Sequence, residues 1–190
     1  MNFTVANGKE RKAGDAMKAM SVVACLGLVG FSVYAGGGAF IDSVSVGAGQ
    51  SQDNIDIYRL GVRKDSACRW LSNRTGWLSV YYEASLNYWR RNDEDIYGAA
   101  LSPVFFYTFG KENWRIKPYI EGGIGVAGIS DTEIGNRNMS TAFQFEDRIG
   151  TGVRIDKVDL SCRYMHYSNC SIKQPNDGID IFIFTVGYRF

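Results

Sequence analysis

From residue 39 onward the chain alternates apolar and polar residues with a period of two, in segments long enough to cross a bilayer at a tilt, and it ends on an aromatic residue. Eight such segments are separated by Gly, Asn and Asp turns: Ala39–Gly49, Ile55–Ala67, Trp77–Trp89, Ile96–Phe109, Arg115–Ile129, Thr141–Ile155, Val158–Asn169 and Ile179–Phe190. In the third, Leu78, Val80, Tyr82, Ala84, Leu86 and Tyr88 share one face, and Ser79, Tyr81, Glu83, Ser85 and Asn87 the other. In the sixth, Phe143, Phe145, Ile149, Val153 and Ile155 oppose Gln144, Glu146, Arg148 and Arg154. A soluble sandwich would bury the apolar faces; a membrane barrel turns them to lipid and fills its interior with paired charges. The pattern therefore predicts an all-β fold, an eight-stranded antiparallel transmembrane β-barrel of the bacterial outer membrane. Phe190 closes the alternating Phe182/Phe184/Val186/Tyr188 face as a C-terminal signal for the barrel-assembly machinery.

Two further features agree. Beyond Gly38 no run of about twenty apolar residues offers a spanning helix. Before it, Lys9, Arg11, Lys12 and Lys18 precede an apolar run from Ser21 to Val33, and Val33 and Ala35 occupy the positions a signal peptidase reads. Residues 1–35 are expected to be an export signal and 36–190 the barrel domain; initiation at Met17 or Met20 would leave a conventional leader. Val22-Val23-Ala24-Cys25 formally resembles a lipobox, but most of the apolar run follows Cys25. With a net charge of +1 and no basic stripe, nothing points to nucleic acid. Cys68, Cys162 and Cys170 form neither a disulfide framework nor a metal spacing.

Eight strands close into a barrel just filled by its own side chains, so a through-pore is not expected. Chemistry belongs on the outer wall or the loops. With both chain ends in the periplasm, the connections Arg91–Asp95, Ser130–Ser140 and Cys170–Gly178 face outward, and the short turns Gly110–Asn113 and Asp156–Lys157 face inward.

The chain's single histidine then stands out. His166 and Ser168, one residue apart at the outer end of the seventh strand, emerge from the same face as Leu160, Cys162 and Tyr164, which is the lipid-facing one. Asp180 starts the eighth strand with the outward parity of Phe182, and the hairpin brings it near His166. A hydroxyl needs a neighbouring imidazole to take its proton, and a carboxylate on the far ring nitrogen fixes the tautomer. A His-x-Ser pair with an acid nearby also arises by chance, and a charge near the membrane interface costs only about 0–1 kcal/mol. Asp147 has outward parity beside lipid, with no role assigned by the pattern.

The run His166-Tyr167-Ser168-Asn169, followed by Lys173-Gln174-Pro175-Asn176-Asp177-Gly178-Ile179, closely resembles the PagL-type lipid A 3-O-deacylases. Two further stretches carry the resemblance: Ile116-Lys117-Pro118-Tyr119-Ile120-Glu121 through Ala127, and Phe145-Glu146-Asp147-Arg148-Ile149-Gly150. It extends from about Tyr58 to the C-terminus. The resemblance implies an outer-membrane enzyme facing the outer leaflet that hydrolyses the 3-position acyl ester of lipid A in lipopolysaccharide, without metal or organic cofactor. Ser168 is then the nucleophile and His166 the general base. Asn169, Asn176 and backbone amides of the Cys170–Asn176 loop become oxyanion donors, although Asn169 has the wrong strand parity. Lipopolysaccharide is the implied partner as substrate, with surrounding outer-membrane lipid, and a homodimer is allowed. Two departures stand out: Asp180 replaces the family's usual glutamate, with Asp177 as a substitute acid, and Cys170-Ser171 replaces a small Ala-Gly pair. The alternatives are a non-catalytic OmpA-like structural or adhesion barrel, against which the short loops count, and an acyltransferase, whose motifs do not match.

Overall fold

A computed structural model describes residues 40–190; the export signal, its cleavage site and the choice of start codon lie outside the described residues. The described chain forms β1 (Ser43–Ser51), β2 (Asp56–Trp70), β3 (Gly76–Arg91), β4 (Glu94–Phe109), β5 (Ile116–Ile129), β6 (Glu133–Ile134), β7 (Arg137–Asn138), β8 (Phe143–Ile155), β9 (Val158–Ser168) and β10 (Ile179–Arg189). Eight of these close an antiparallel barrel in the order β1-β10-β9-β8-β5-β4-β3-β2, while β6 and β7 form a separate two-stranded hairpin. Each expected segment matches one barrel strand, with ends shifted by a few residues. The expected loop Arg91–Asp95 contracts to a tight turn, because Arg91 already pairs with Glu94 and Asn92 adopts the positive φ of 54° that such a turn demands. The loop Ser130–Ser140 is not plain coil, since it carries the β6–β7 hairpin.

Side chains segregate as the alternation requires. Tyr82, Leu86, Leu101, Ile120, Ile124, Ile149, Phe182 and Phe184 are exposed on the outer wall. An apolar belt of this extent is unfavourable in water and suited to hydrocarbon. Inside, Glu83 accepts from Arg59 at 2.8 Å, Arg63 at 3.0 Å and Arg148 at 2.8 Å, and Arg163 donates to Glu121 at 2.6 Å. Glu146 joins this belt through Arg59 at 2.8 Å. Glu146 and Arg148 are thus interior ion-pair residues, as their parity predicts. A barrel of alternating strands leads one to expect a polar lumen throughout, but toward one end it is apolar. Ile55, Ile57, Trp89, Ile96, Ile129, Ile134, Met139, Met165, Ile179 and Ile181 pack there as a buried cluster. Loop residues Ile55, Ile134 and Met139 fold over the barrel mouth and supply much of this plug, which strand parity alone does not reveal.

Candidate active site

β9 holds its end rigidly because its inward residues are locked. Met165 and Tyr167 are each 1% exposed, and the Tyr167 hydroxyl donates to Glu146 of the charged belt. Alternation then obliges His166 and Ser168 to project outward. β10 returns antiparallel so that Asp180 stands directly opposite His166 in the ladder, and His166 Nδ1 lies 2.7 Å from Asp180 Oδ1. With the carboxylate accepting, a ring proton resides on Nδ1, and in the neutral imidazole this leaves the lone pair on Nε2. Direct opposition brings the two Cβ atoms to about 4.5–5.5 Å, so a single methylene suffices for the acid to reach the ring. Asp180 therefore makes the contact without the longer acid's reach. Asp177 does not substitute for it: its carboxylate accepts from Asn138 N–H at 2.7 Å.

Ser168 sits half-buried two residues beyond His166 on the same face. Among the described residues its hydroxyl has no hydrogen-bond partner, so the Ser–His contact is not yet closed. On the other side of His166, Asp147 of β8 is its direct ladder neighbour. Asp147 is half-exposed and makes no ion pair or hydrogen bond among the described residues.

The segment after Ser168 is shaped by Asn169, which is fully buried. Its side-chain amide donates to Met139 O and Lys173 O, each at 2.8 Å. Both of its side-chain protons are therefore committed, which corrects its expected place as a side-chain oxyanion donor. Its backbone N–H donates to Asn176 Oδ1 at 3.0 Å. That bond fixes which way the Asn176 amide points, leaving Nδ2 as a donor. Cys170 and Ser171 both take left-handed conformations, with φ of 52° and 62°. Such angles favour glycine, so side chains at these two positions cost some backbone strain.

Two residues that the motif does not single out also bear on the site. Tyr164 lies close to Asp180 on the outer wall, and it shares the outward parity of His166, which is the signal that could have found it. Arg137 of β7 donates to Asp177 O at 2.9 Å and pairs with Asp53 at 2.7 Å. No local pattern announces that placement. Among the described residues no cluster of His, Cys, Asp and Glu is arranged to hold a metal ion.

The lipid A 3-O-deacylase (PagL) family model matches residues 56–189. The chain belongs to this family. It is 39% identical over 142 residues to the lipid A deacylase PagL of Pseudomonas aeruginosa, covering 73% of this chain and 81% of that one. A lipid A deacylase PagL of Bordetella bronchiseptica is 34% identical over 120 residues, covering 60% of this chain and 65% of that one. Among solved structures, the crystal structure of the outer-membrane enzyme PagL superposes with a TM-score of 0.74 at 37% identity, covering 78% of this chain and 99% of the other. This family member is accordingly an outer-membrane β-barrel, and its apolar wall is the surface that meets lipid.

Proposed function

We propose that this chain hydrolyses the ester-linked 3-hydroxyacyl chain at the 3-position of lipid A, with Ser168 as nucleophile, His166 as general base and Asp180 as its orienting acid. The observation that carries the reading is the 2.7 Å contact from His166 Nδ1 to Asp180 on the outer wall, with Ser168 next along the same face. Family membership supplies the substrate class.

In this mechanism Nε2 takes the Ser168 proton as Oγ attacks the ester carbonyl, and Asp180 stabilises the imidazolium that forms. The tetrahedral oxyanion is met by Asn176 Nδ2, aimed by the Asn169 backbone N–H, together with backbone amides of the loop. Asn169 serves by holding that loop rather than by donating from its side chain. Collapse expels the sugar 3-oxygen, which takes the proton back from His166 and leaves the acyl chain on Ser168. Water, deprotonated by the same imidazole, then releases the 3-hydroxy fatty acid and restores the serine. No metal or cofactor enters these steps. The longer connections, including residues 130–142 and 169–178, share the barrel end that bears the site, and both barrel termini lie at the opposite end. That distribution supports an orientation in which the site faces the outer leaflet.

Expression in a host with hexa-acylated lipid A, followed by mass spectrometry of the lipid A, tests the reading. Loss of one hydroxyacyl chain is expected from the wild type and not from Ser168→Ala or His166→Ala. An unchanged spectrum with folded, membrane-inserted wild type would overturn it.

A further inference from the structure

The geometry around Gly178 leads away from the strands to an outer-loop arginine. Gly178 lies at the end of the 169–178 loop with φ of 55°, and a Cβ placed on it would stand 2.9 Å from His166 Cε1 and 3.4 Å from Nε2. The loop backbone therefore runs beside the imidazole, too close for a side chain to stand between them, at the edge carrying the nitrogen that must receive the serine proton. What holds that backbone in place is Arg137. Its Nη1 donates to Asp177 O at 2.9 Å and to Gly178 O at 3.4 Å. Its Nε and Nη2 both grip Asp53 Oδ2 in the β1–β2 connection, each at 2.7 Å. The neighbouring Asn138 N–H fastens the Asp177 carboxylate at 2.7 Å, and Asp177 N–H returns a bond to Asn138 O at 3.2 Å. One guanidinium thus ties three outer connections together. None of these bonds is needed to close the barrel, whose ladders are complete without them.

We infer that Arg137 is a positioning residue for the triad, resting on the reading of His166 as general base: by anchoring Asp177–Gly178 to Asp53 it keeps the loop backbone against the imidazole, and so keeps the ring aligned between Asp180 and Ser168. The contact requires arginine. A guanidinium presents a rigid fork of donors that serves a carboxylate on one edge and two carbonyls on another, whereas a lysine ammonium is a single point on a flexible stem. Asp53 is the counter-anchor, and it fixes the fork's orientation.

His166 is the chain's single histidine, so an untagged protein labelled with 15N-histidine reports one imidazole. The test compares wild type, Arg137→Ala, Arg137→Lys and Asp53→Ala in micelles, reading the His166 ring resonances, kcat and KM on purified lipid A, and the heat-induced gel shift of the folded barrel. Wild type should show a downfield Nδ1 proton from the bond to Asp180. Both Arg137 variants should shift or broaden it and lose up to about 100-fold in kcat, the loss that a misplacement of about 1 Å can produce. KM and the melting of the barrel should stay near wild type. Asp53→Ala should move the same resonance in the same direction by less. A wild-type resonance and kcat in folded Arg137→Ala would overturn the inference, as would equal losses of kcat and barrel stability, which mark general unfolding. Should Arg137→Ala not fold, Asp53→Ala decides by the same readouts. Failure of the wild type to cleave lipid A sinks the proposed reaction instead, and the resonance still decides whether Arg137 sets the ring.

Discussion

Asp180 reaches His166 because the two face each other across the β9–β10 ladder, and that placement governs what substitution should do. Asp180→Ala removes the partner that holds the ring tautomer, and deacylation should fall by about 10²–10⁴-fold, measured as initial rate on lipid A in micelles. Asp180→Glu keeps the charge and adds a methylene; it is expected to retain activity within about tenfold of wild type, since a glutamate can fold back where an alanine cannot reach. Asn176→Ala deletes the aimed amide and should cost roughly 10²–10³-fold in kcat with the barrel unaffected. Residues with strand parity were legible in the sequence. His166, Ser168 and Asp180 follow from period two plus one hairpin. Asn169 enters as a donor only through the family resemblance; its inward parity, readable in the sequence, places it just past the end of β9, where its amide binds two carbonyls. Arg137 could not be read at all: its partners lie 84 and 40 residues away, joined only by closure of the barrel.

At the level of elements, the long strands announce themselves because each repeats its alternation over many residues. The β6–β7 hairpin does not, since two-residue strands carry no period. It nonetheless braces the loop that shapes the site. That loop holds Cys170 and Ser171 in left-handed conformations, which makes a direct prediction possible. Ser171→Gly relieves the strain at one position while adding freedom to the unfolded chain, so the net stabilisation should be no more than about 1 kcal/mol. Slower proteolytic cleavage within residues 169–178, with activity retained, would be the sign of it. Faster cleavage would mean that the Ser171 side chain contributes something other than strain.

Across the whole molecule, the fold is held from the inside by ions and from the outside by lipid. Glu83 accepts from Arg59, Arg63 and Arg148 with no exposure of its own side chain. Glu83→Ala would leave four buried guanidinium groups, those of Arg59, Arg63, Arg148 and Arg163, short of a partner, and breaking a buried pair in this way costs about 3–5 kcal/mol. The heat-induced gel shift should therefore occur at a clearly lower temperature, and no change would show that the belt is redundant. The charged belt was legible from strand parity. The apolar plug above it was not, because Ile55, Ile134 and Met139 come from connections whose packing depends on the closed barrel.

A lumen occupied from wall to wall has a further consequence for traffic. Neither substrate nor product can pass through the cylinder, so both must arrive and leave sideways, in the plane of the membrane. Encounter is then a two-dimensional event, and turnover should follow the mole fraction of substrate in the surface rather than its bulk concentration. Dilution with inert detergent at constant total substrate should slow the reaction accordingly. On the proposed placement of the site, the freed fatty acid would be delivered into the leaflet and accumulate beside the barrel.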